Sequence, residues 1–280
     1  MRTVVMDTTP VDLAGAAAIE GAEAQAWRDM FEAAPAKFAE AAGVGSRDVA
    51  GALVIQWAAT GRRYFSRAIG LGVAEPVTED ALDDILAGYR ATGIDMFLLQ
   101  SLPHCRPAEY EGWLRTRGLE PFDAQDRIVR DDRAAAPGPP LDYEVERVTE
   151  ATADEWAQFI PRVYGLDAER WLRKLVDRPR WHHYVARDGG EIVAARSMYI
   201  CPDGTAWLGI DGPVPGVHWD QYGPDAALCT VIVEDGLARG ARSFIADIEA
   251  PSDEMDTPAY ELFGRLGFSR PYVRTHWARP

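Results

Sequence analysis

The chain has 280 residues, of which 47% are hydrophobic and 26% are charged, a composition typical of folded globular domains. Its formal net charge is -15, and this acidic excess disfavours a surface for nucleic acids or anionic membranes, which requires clustered Lys and Arg. The length suits one large or two medium domains. We therefore expect a globular protein without a nucleic-acid or membrane partner.

The three cysteines, Cys105, Cys201 and Cys229, form no CxxC pair and lie far apart in the sequence. Reduced thiols in a cytoplasmic protein are the simplest interpretation. The first residues lack the basic-then-apolar pattern of a signal peptide, and no apolar run approaches the ~20 residues of a membrane span. The pattern predicts a cytoplasmic protein and gives no indication of its oligomeric state.

Residues 131–142 are rich in alanine, proline and glycine and predict a linker. We therefore predict domains at 1–133 and 143–280, joined by residues 134–142. In the first half, helical segments lie between Ala14 and Ala42 and are interrupted near Pro35. The elements predicted next are strands at 52–57 and 64–73, a helix capped by Thr78, a strand at 96–102, a helix at 109–117 and a strand at 127–130.

The second half predicts helices at 156–163 and 168–176, then a hairpin whose turn is Asp188-Gly189-Gly190. A strand at 205–211, a helix at 225–239, a strand at 243–248, a helix at 258–266 and a strand at 272–277 follow. The same order of elements occurs in both halves. Residues 110–119 echo residues 260–268, which favours an internal repeat over a chance likeness of two amphipathic helices.

Residues 259–272 read AYELFGRLGFSRPY: a short amphipathic helix ends in Leu-Gly-Phe and a strand follows. With the hairpin and Ala206-Trp207-Leu208-Gly209, this stretch resembles the acetyl-CoA-dependent N-acetyltransferases of the GNAT superfamily over nearly the whole second half. Residues 65–72 and Glu75-Pro76 resemble the degenerate N-terminal copy of tandem GNAT proteins. The resemblance implies an α/β fold of two GNAT-like domains in tandem, each a mixed, mostly antiparallel sheet flanked by helices.

The resemblance also implies acetyl-CoA as the cofactor. In this family the fourth and fifth strands splay apart around pantetheine, and the pyrophosphate lies at the N-terminus of the following helix, where the dipole is favourable. That layout places Asp211 and its neighbours along pantetheine and residues 219–226 at the pyrophosphate. The candidate cofactor-binding residues are Ile210, Gly212, Val214, Tyr222, Gly223, Asp225, Ala226 and Phe263.

The predicted pyrophosphate loop departs from the family pattern, Arg/Gln-x-x-Gly-x-Gly/Ala. Asp220 stands where Arg or Gln is expected, and Asp225 stands where a small residue is expected. Pro224 has no N–H to donate. Asp225 is a natural first-turn residue or helix cap, so its carboxylate is expected to compete with phosphate for the same amides. The loop therefore argues against ordinary CoA binding.

Three residues are candidates for catalysis. Asp211 is a potential general base, with an ordinary turn aspartate as the alternative. His218, in the loop after the fourth strand, is a potential base or substrate ligand, with a solvated loop histidine as the alternative. Phe263 occupies the position of the family's acid tyrosine, and Tyr260, one turn earlier, is either its substitute or a packing residue.

No metal site is predicted, because the adjacent His182 and His183 point to opposite faces of a strand and no HExxH or Cys/His cluster occurs. The leading function is acyl-CoA-dependent N-acylation of a small-molecule amine by the C-terminal domain. Two alternatives stay open: a degenerate GNAT scaffold that binds a small ligand or partner, and a GNAT pocket that catalyses a CoA-independent reaction.

Overall fold

The structure is a computed structural model, and it describes residues 6–134, 143–213, 223–250 and 258–280, with only the backbone described at positions 213 and 258. The described helices are α1 (Leu13–Glu32), α2 (Ala36–Ala42), α3 (Glu79–Ala91), α4 (Tyr110–Thr116), α5 (Ala153–Tyr164), α6 (Glu169–Leu172), α7 (Pro224–Ala238) and α8 (Pro258–Arg265). The described strands are β1 (Val44–Val49), β2 (Ala52–Trp57), β3 (Arg67–Ile69), β4 (Leu98–Ser101), β5 (Glu120–Asp131), β6 (Glu144–Arg147), β7 (Trp181–Asp188), β8 (Glu191–Ile200), β9 (Thr205–Pro213), β10 (Ser243–Glu249) and β11 (Ser269–Ala278).

The chain forms two compact units. The N-unit contains residues 10–127 and 272–280, and the C-unit contains residues 128–271 with the segment before residue 10. The N-unit therefore includes the C-terminal part of β11, whereas the predicted domains assign the whole of that strand to the second half. Residues 135–142 of the predicted linker lie outside the described residues.

The N-unit sheet has the strand order β1-β2-β3-β4-β11-β5. β1, β2 and β3 are antiparallel neighbours, β3 and β4 are parallel, and β11 pairs antiparallel with β4, with Thr275 opposite Ser101. α3 begins as predicted, because the Thr78 hydroxyl accepts the N–H of Ala81 at 3.2 Å. Its face of Leu82, Ile85, Leu86 and Tyr89 is buried in the core of this unit.

Beneath α1, the N-unit buries a network of charged side chains. Glu23 receives Arg67 at 2.8 Å and Arg274 at 2.5 Å, and it also pairs with Arg127. Glu20 forms ion pairs with Arg127 and Arg274, each at 3.2 Å, and accepts a hydrogen bond from the hydroxyl of Tyr272 at 2.8 Å. Burial would raise the pKa of Glu23, but Arg274, Arg127 and Arg67 outweigh it and hold the pKa well below its usual value.

The C-unit sheet has the order β5-β10-β9-β8-β7-β6. β6 to β9 are antiparallel neighbours, and β9 is parallel to β10. The hairpin turn falls at Gly189 and Gly190, both at positive φ, as the Asp-Gly-Gly sequence predicts. α7 and α8 bury Leu228, Ile232 and Leu262 in the core of this unit. Each unit thus holds a mixed, mostly antiparallel sheet flanked by helices, which confirms the predicted α/β class and sheet type. The arrangement of two GNAT-like domains in tandem stays a prediction.

The echo between α4 and α8 extends to the way each helix ends. After α4, Gly118 at φ 74° donates to the Arg115 carbonyl and Leu119 donates to the Leu114 carbonyl. After α8, Gly267 at φ 83° and Phe268 make the same two bonds, three and five residues back. Both ends are Schellman motifs, which need a residue in the left-handed region, where glycine carries no steric penalty.

Several predicted elements change in extent. The strand predicted at 64–73 shortens to β3, preceded by a 3₁₀ turn at Arg63–Phe65, and the helix predicted at 168–176 becomes α6 followed by a 3₁₀ turn at Arg173–Leu175. β1 and β6 were not predicted, because both are mostly polar sequences. All three cysteines are free. None of the helices in the described ranges is long and apolar enough to cross a bilayer.

Candidate functional site

The parallel strands β9 and β10 pair only at their beginnings. Thr205, Ala206 and Trp207 pair with Ser243, Phe244 and Ile245, and among the described residues their ladder ends there. β9 continues to position 213 and β10 to Glu249. The carboxyl ends of these two neighbouring strands therefore leave an opening in the C-unit sheet, and backbone groups that line such an opening remain available to a ligand.

β9 carries a bulge beside this opening. Ser197 of β8 lies opposite Gly209 and Ala195 lies opposite Gly212, so that two residues of β9, Ile210 and Asp211, face one residue of β8. Ile210 has a φ of 46°, which is rare for a β-branched residue. A bulge leaves backbone groups outside the ladder, and strained backbone of this kind clusters at functional sites. The predicted pantetheine residues thus lie at an irregular point of the sheet.

Gly212 lies against the end of α5. A Cβ at this position would lie 3.0 Å from Cγ1 of Val163 and 3.7 Å from Cε2 of Tyr164. The hydroxyl of Tyr164 donates a hydrogen bond to the carbonyl of Asp211. A side chain at position 212 would force Val163 or the end of α5 to shift, so the close approach of the helix favours glycine.

Arg196, on β8, joins the two aspartates that the sequence singled out. Its Nε lies 3.1 Å from Oδ1 of Asp225, and its Nη2 lies 3.0 Å from Oδ2 of Asp211. The side chains of Arg196 and Asp225 are buried, whereas that of Asp211 is 38% exposed. One guanidinium therefore bridges the end of β9 and the first turn of α7.

Two carboxylates share this one guanidinium. Burial, aided by the charge of Asp211, raises the pKa of Asp225 to about 6 although Arg196 opposes the shift. Burial disfavours the charge of Arg196, but Asp225, Cys229 and Asp211 outweigh it and raise the pKa of the guanidinium. The site thus holds a permanent cation beside an aspartate that can exchange a proton near neutral pH.

Asp225 does not cap α7, although the sequence predicts that it could. The N-cap of α7 is Gly223, which makes no side-chain cap bond, and Pro224 is the first helical residue. The carbonyl of Gly223 accepts the N–H groups of Ala226 and Ala227 at 3.0 and 3.3 Å. The carboxylate of Asp225 turns inward to Arg196 because a buried guanidinium is its strongest available partner.

α8 carries two candidate site residues, Phe263 and Tyr260, and both lie in the hydrophobic core of the C-unit. Phe263 is buried, packs edge-on against Phe268 at 5.2 Å, and lies 5.9 Å from the guanidinium carbon of Arg196. Tyr260 is buried in the same hydrophobic cluster. The structure therefore gathers Asp211, Asp225 and Phe263 around Arg196. Val214, His218 and Tyr222, together with Asp220, lie outside the described residues.

Neither Arg196 nor Tyr164 was predicted from the sequence as a site residue. A single arginine among small and apolar residues in β8 is a usable signal, because a charge in a strand buried on both faces requires an opposite charge. The sequence does not reveal which carboxylates supply it, since they lie 15 and 29 residues away.

The two adjacent histidines lie on β7 and differ in environment. His183 is buried, with Nδ1 2.7 Å from the hydroxyl of Ser197 and its ring stacked near Trp181, whereas His182 is half-buried. In the described part of the chain, no three His, Cys, Asp or Glu side chains lie close enough together to hold a metal ion.

Solved structures place this architecture among known folds. A GCN5-related N-acetyltransferase from Kribbella flavida matches 95% of this chain and 95% of its own with a TM-score of 0.63 and 17% identity. A second one, from Sphaerobacter thermophilus, matches 82% of this chain and 81% of its own at 17% identity and a TM-score of 0.55. The fold is that of the GCN5-related N-acetyltransferases.

A functionally unknown conserved protein from Staphylococcus epidermidis is also similar, with a TM-score of 0.51 and 12% identity over 86% of this chain and 96% of its own. No protein-family model matches the sequence, and no curated protein matches it. The resemblance drawn from the helix at 259–266 and the hairpin is therefore confirmed at the level of the GNAT fold. At these identities the likeness supports the fold alone.

Proposed function

We propose that the C-unit carries an acyl-CoA-dependent N-acyltransferase site that acts on a small-molecule amine. The opening between β9 and β10 and the start of α7 support this, because the GNAT resemblance assigns them to pantetheine and pyrophosphate. The Arg196–Asp225 ion pair carries the proposal. This ion pair holds the Asp225 carboxylate away from the start of α7, where the sequence predicts that it would compete with a phosphate.

Acetyl-CoA fits these residues in two respects. The bulge at Ile210 and Asp211, next to Gly212, leaves β9 backbone groups outside the ladder, where they would bind an amide-rich chain such as pantetheine. At the start of α7, Pro224 lacks an N–H, so Gly223 and Asp225 supply the first amides, and Ala226 adds no bulk. Bound acetyl-CoA would supply an acyl group activated as a thioester. Val214, Tyr222 and Phe263 complete the proposed cofactor site.

Asp211 is the proposed proton acceptor. Its carboxylate is partly exposed at the bulge and is fixed by Arg196 at 3.0 Å. An amine must lose a proton when it is acylated, and a base within hydrogen-bond reach speeds that transfer. Tyr260 is the proposed proton donor to the departing thiolate, and His218 is a proposed second base or substrate ligand. The chain is proposed to act in the cytoplasm, since its three cysteines are free thiols.

Calorimetric titration with acetyl-CoA tests the cofactor site. Gly223→Pro removes one amide at a φ of -78°, which proline adopts, and Gly223→Ala retains that amide. We expect acetyl-CoA to bind the wild type and the alanine variant alike, and the proline variant at least tenfold more weakly. Equal binding of acetyl-CoA by all three proteins would show that the pyrophosphate does not bind at the start of α7. No binding at millimolar acetyl-CoA would favour the degenerate scaffold or a CoA-independent reaction.

Thiol release from acetyl-CoA in the presence of a panel of small amines tests the chemistry. Asp211→Asn should lower kcat by about 10²–10⁴-fold, the range for loss of a general base, while acetyl-CoA binding persists. Asp188→Asn, at the exposed hairpin turn of the same unit, is the matched control and should leave kcat unchanged. An Asp211→Asn enzyme with full kcat would exclude Asp211 as the base.

A further inference from the structure

A second recess lies at the other end of the C-unit sheet. It has a volume of about 570 Å³ and is open to solvent, and its lining includes Arg180, His182, Ile200, Pro202, Gly204 and Arg239. These residues lie where β7 begins, where β8 ends and where α7 ends. The start of α7 lies at the opposite end of that helix, and the bulge at Ile210 and Asp211 lies in the last part of β9, whereas the lining residues Pro202 and Gly204 precede that strand. The recess, called here the arginine groove, is therefore separate from the proposed acyl-transfer site.

Arg180 occupies a backbone position that disfavours any side chain. Its φ is 76°, in the left-handed region, where a non-glycine residue is strained by roughly 1–2 kcal/mol. Its carbonyl accepts the N–H of Ile200 at 3.0 Å, which fixes this conformation. Its side chain is exposed and makes no hydrogen bond or ion pair with any residue in the described ranges. Glycine would satisfy the backbone better, so the guanidinium is the feature that an arginine adds here.

His182 supplies a polar group with an unmet hydrogen bond. Its Nδ1 is buried and has no partner within the part of the chain that is described. Burial first, and then the nearby charges of Arg239 and Arg147, lower the pKa of the ring to about 4. The imidazole is therefore neutral at pH 7, with one N–H donor and one acceptor nitrogen.

Of the two guanidinium groups that line the arginine groove, only that of Arg239 is paired with a carboxylate among the described residues. Oδ2 of Asp235 accepts Nε of Arg239 at 2.6 Å and also the hydroxyl of Tyr184. Asp203, which lies in sequence between the lining residues Pro202 and Gly204, accepts the N–H of Thr205 at 2.9 Å. A third of the Arg239 side chain stays exposed. Two guanidinium groups thus face one recess in a chain whose net charge is -15.

We propose that the arginine groove binds the oxyanion group, phosphate or carboxylate, of a small organic molecule. Guanidinium groups match both anions through paired N–H donors, and two arginines and the His182 ring line this one recess. The volume exceeds what an inorganic ion fills and falls within the range of small-molecule sites. The site needs no acyl-CoA and stands independently of the proposed acyltransferase activity.

Calorimetric titration of the full chain with glucose 6-phosphate, citrate and inorganic phosphate, each at constant ionic strength, tests this site. We expect one of the two organic anions to bind at least tenfold more tightly than inorganic phosphate. Preference for glucose 6-phosphate identifies a phosphate ligand, and preference for citrate identifies a carboxylate ligand. If neither organic anion binds the wild type at millimolar concentration, the proposal is overturned.

Substitutions at Arg180, whose φ is 76°, test the contribution of its guanidinium to anion binding. Arg180→Gly removes the guanidinium and the unfavourable φ together, so we expect at least tenfold weaker binding and a Tm equal to or above that of the wild type. Arg170→Ala removes an exposed arginine from α6 of the same unit and should bind as the wild type does. Arg180→Lys retains the charge without the paired donors and should bind with intermediate affinity. Unchanged binding by Arg180→Gly would refute the site.

Discussion

Nε of Arg196 lies 3.1 Å from Oδ1 of Asp225, and both side chains are buried. The pair ties β8 to the first turn of α7, and the second contact of the guanidinium, with Asp211, ties both to the end of β9. It also explains why an acidic residue is compatible with a helix N-terminus proposed to receive phosphate. The negative charge is compensated inside the protein.

Arg196→Met should destabilise the protein by about 3–5 kcal/mol, since it leaves the carboxylate of Asp225 buried without its partner. Urea unfolding measures the loss. Arg170→Met, at an exposed position in the same unit, should change the unfolding free energy by less than about 0.5 kcal/mol. The double variant Arg196→Met, Asp225→Leu should recover most of the loss, because no buried charge remains. Equal stability of Arg196→Met and its control would contradict this account.

The pKa of Asp225 predicts a dependence of stability on pH. Because the folded-state pKa is about 6 and the ordinary value is 3.8, the folded protein keeps a proton that the unfolded chain has released. Stability should therefore fall as the pH rises from about 4 to about 6, by about 2–3 kcal/mol relative to Asp225→Asn, which cannot titrate there. Unfolding curves of both proteins at pH 4 and pH 7 give the comparison. Parallel curves for the two proteins would exclude a raised pKa.

The lowered pKa of Glu23, in the N-unit, predicts the opposite dependence of stability on pH. Its pKa is held well below the usual 4.5, so its contribution is present above that value and is lost as the pH falls through the depressed pKa. At pH 7, Glu23→Gln should lower the unfolding free energy by about 3–5 kcal/mol, and less in strong acid. Glu32→Gln, exposed on the same helix, is the control and should have little effect. Comparable losses in the two variants would show that the buried network does not stabilise the unit.

Gly212→Ala should lower the Tm, because its Cβ would lie 3.0 Å from Val163 and must displace α5 or β9 at a cost of about 1–3 kcal/mol. Gly264→Ala is a matched control within α8, where a Cβ would meet nothing within 4 Å. It should raise the Tm, since alanine favours a helix by roughly 0.5–1 kcal/mol over glycine. Thermal unfolding of both variants separates the two effects, and a raised Tm for Gly212→Ala would show that α5 does not pack closely on β9.

Elements with a buried apolar face were predictable from the sequence. α3, the β7–β8 hairpin and α8 each combine strong periodicity with a local start or stop signal, and their bounds agree to within a few residues. β1 and β6 escaped prediction because they alternate weakly and contain Arg47, Asp48, Glu144 and Glu146. An edge strand is fixed by its neighbour's backbone more than by its own side chains.

The candidate site was predictable in outline only. The order of strands and helices points to Asp211, Gly212 and Asp225, but the direction in which Asp225 turns depends on Arg196, whose position follows from tertiary pairing. The pairing of β11 with β4 likewise joins segments that are far apart in the sequence. Nothing in residues 269–278 alone indicates that they pair with β4 of the N-unit.

The position of β11 has a consequence for synthesis of the chain. Ser101 of β4 leaves the ribosome long before Thr275, its partner in the sheet, and at ~5–20 residues per second the interval is roughly 10–35 s. Throughout that time the edge of β4 lacks its final neighbour and is open to wrong partners, including the same strand of a nearby nascent chain. The N-unit, whose residues are mostly made first, is thus completed last.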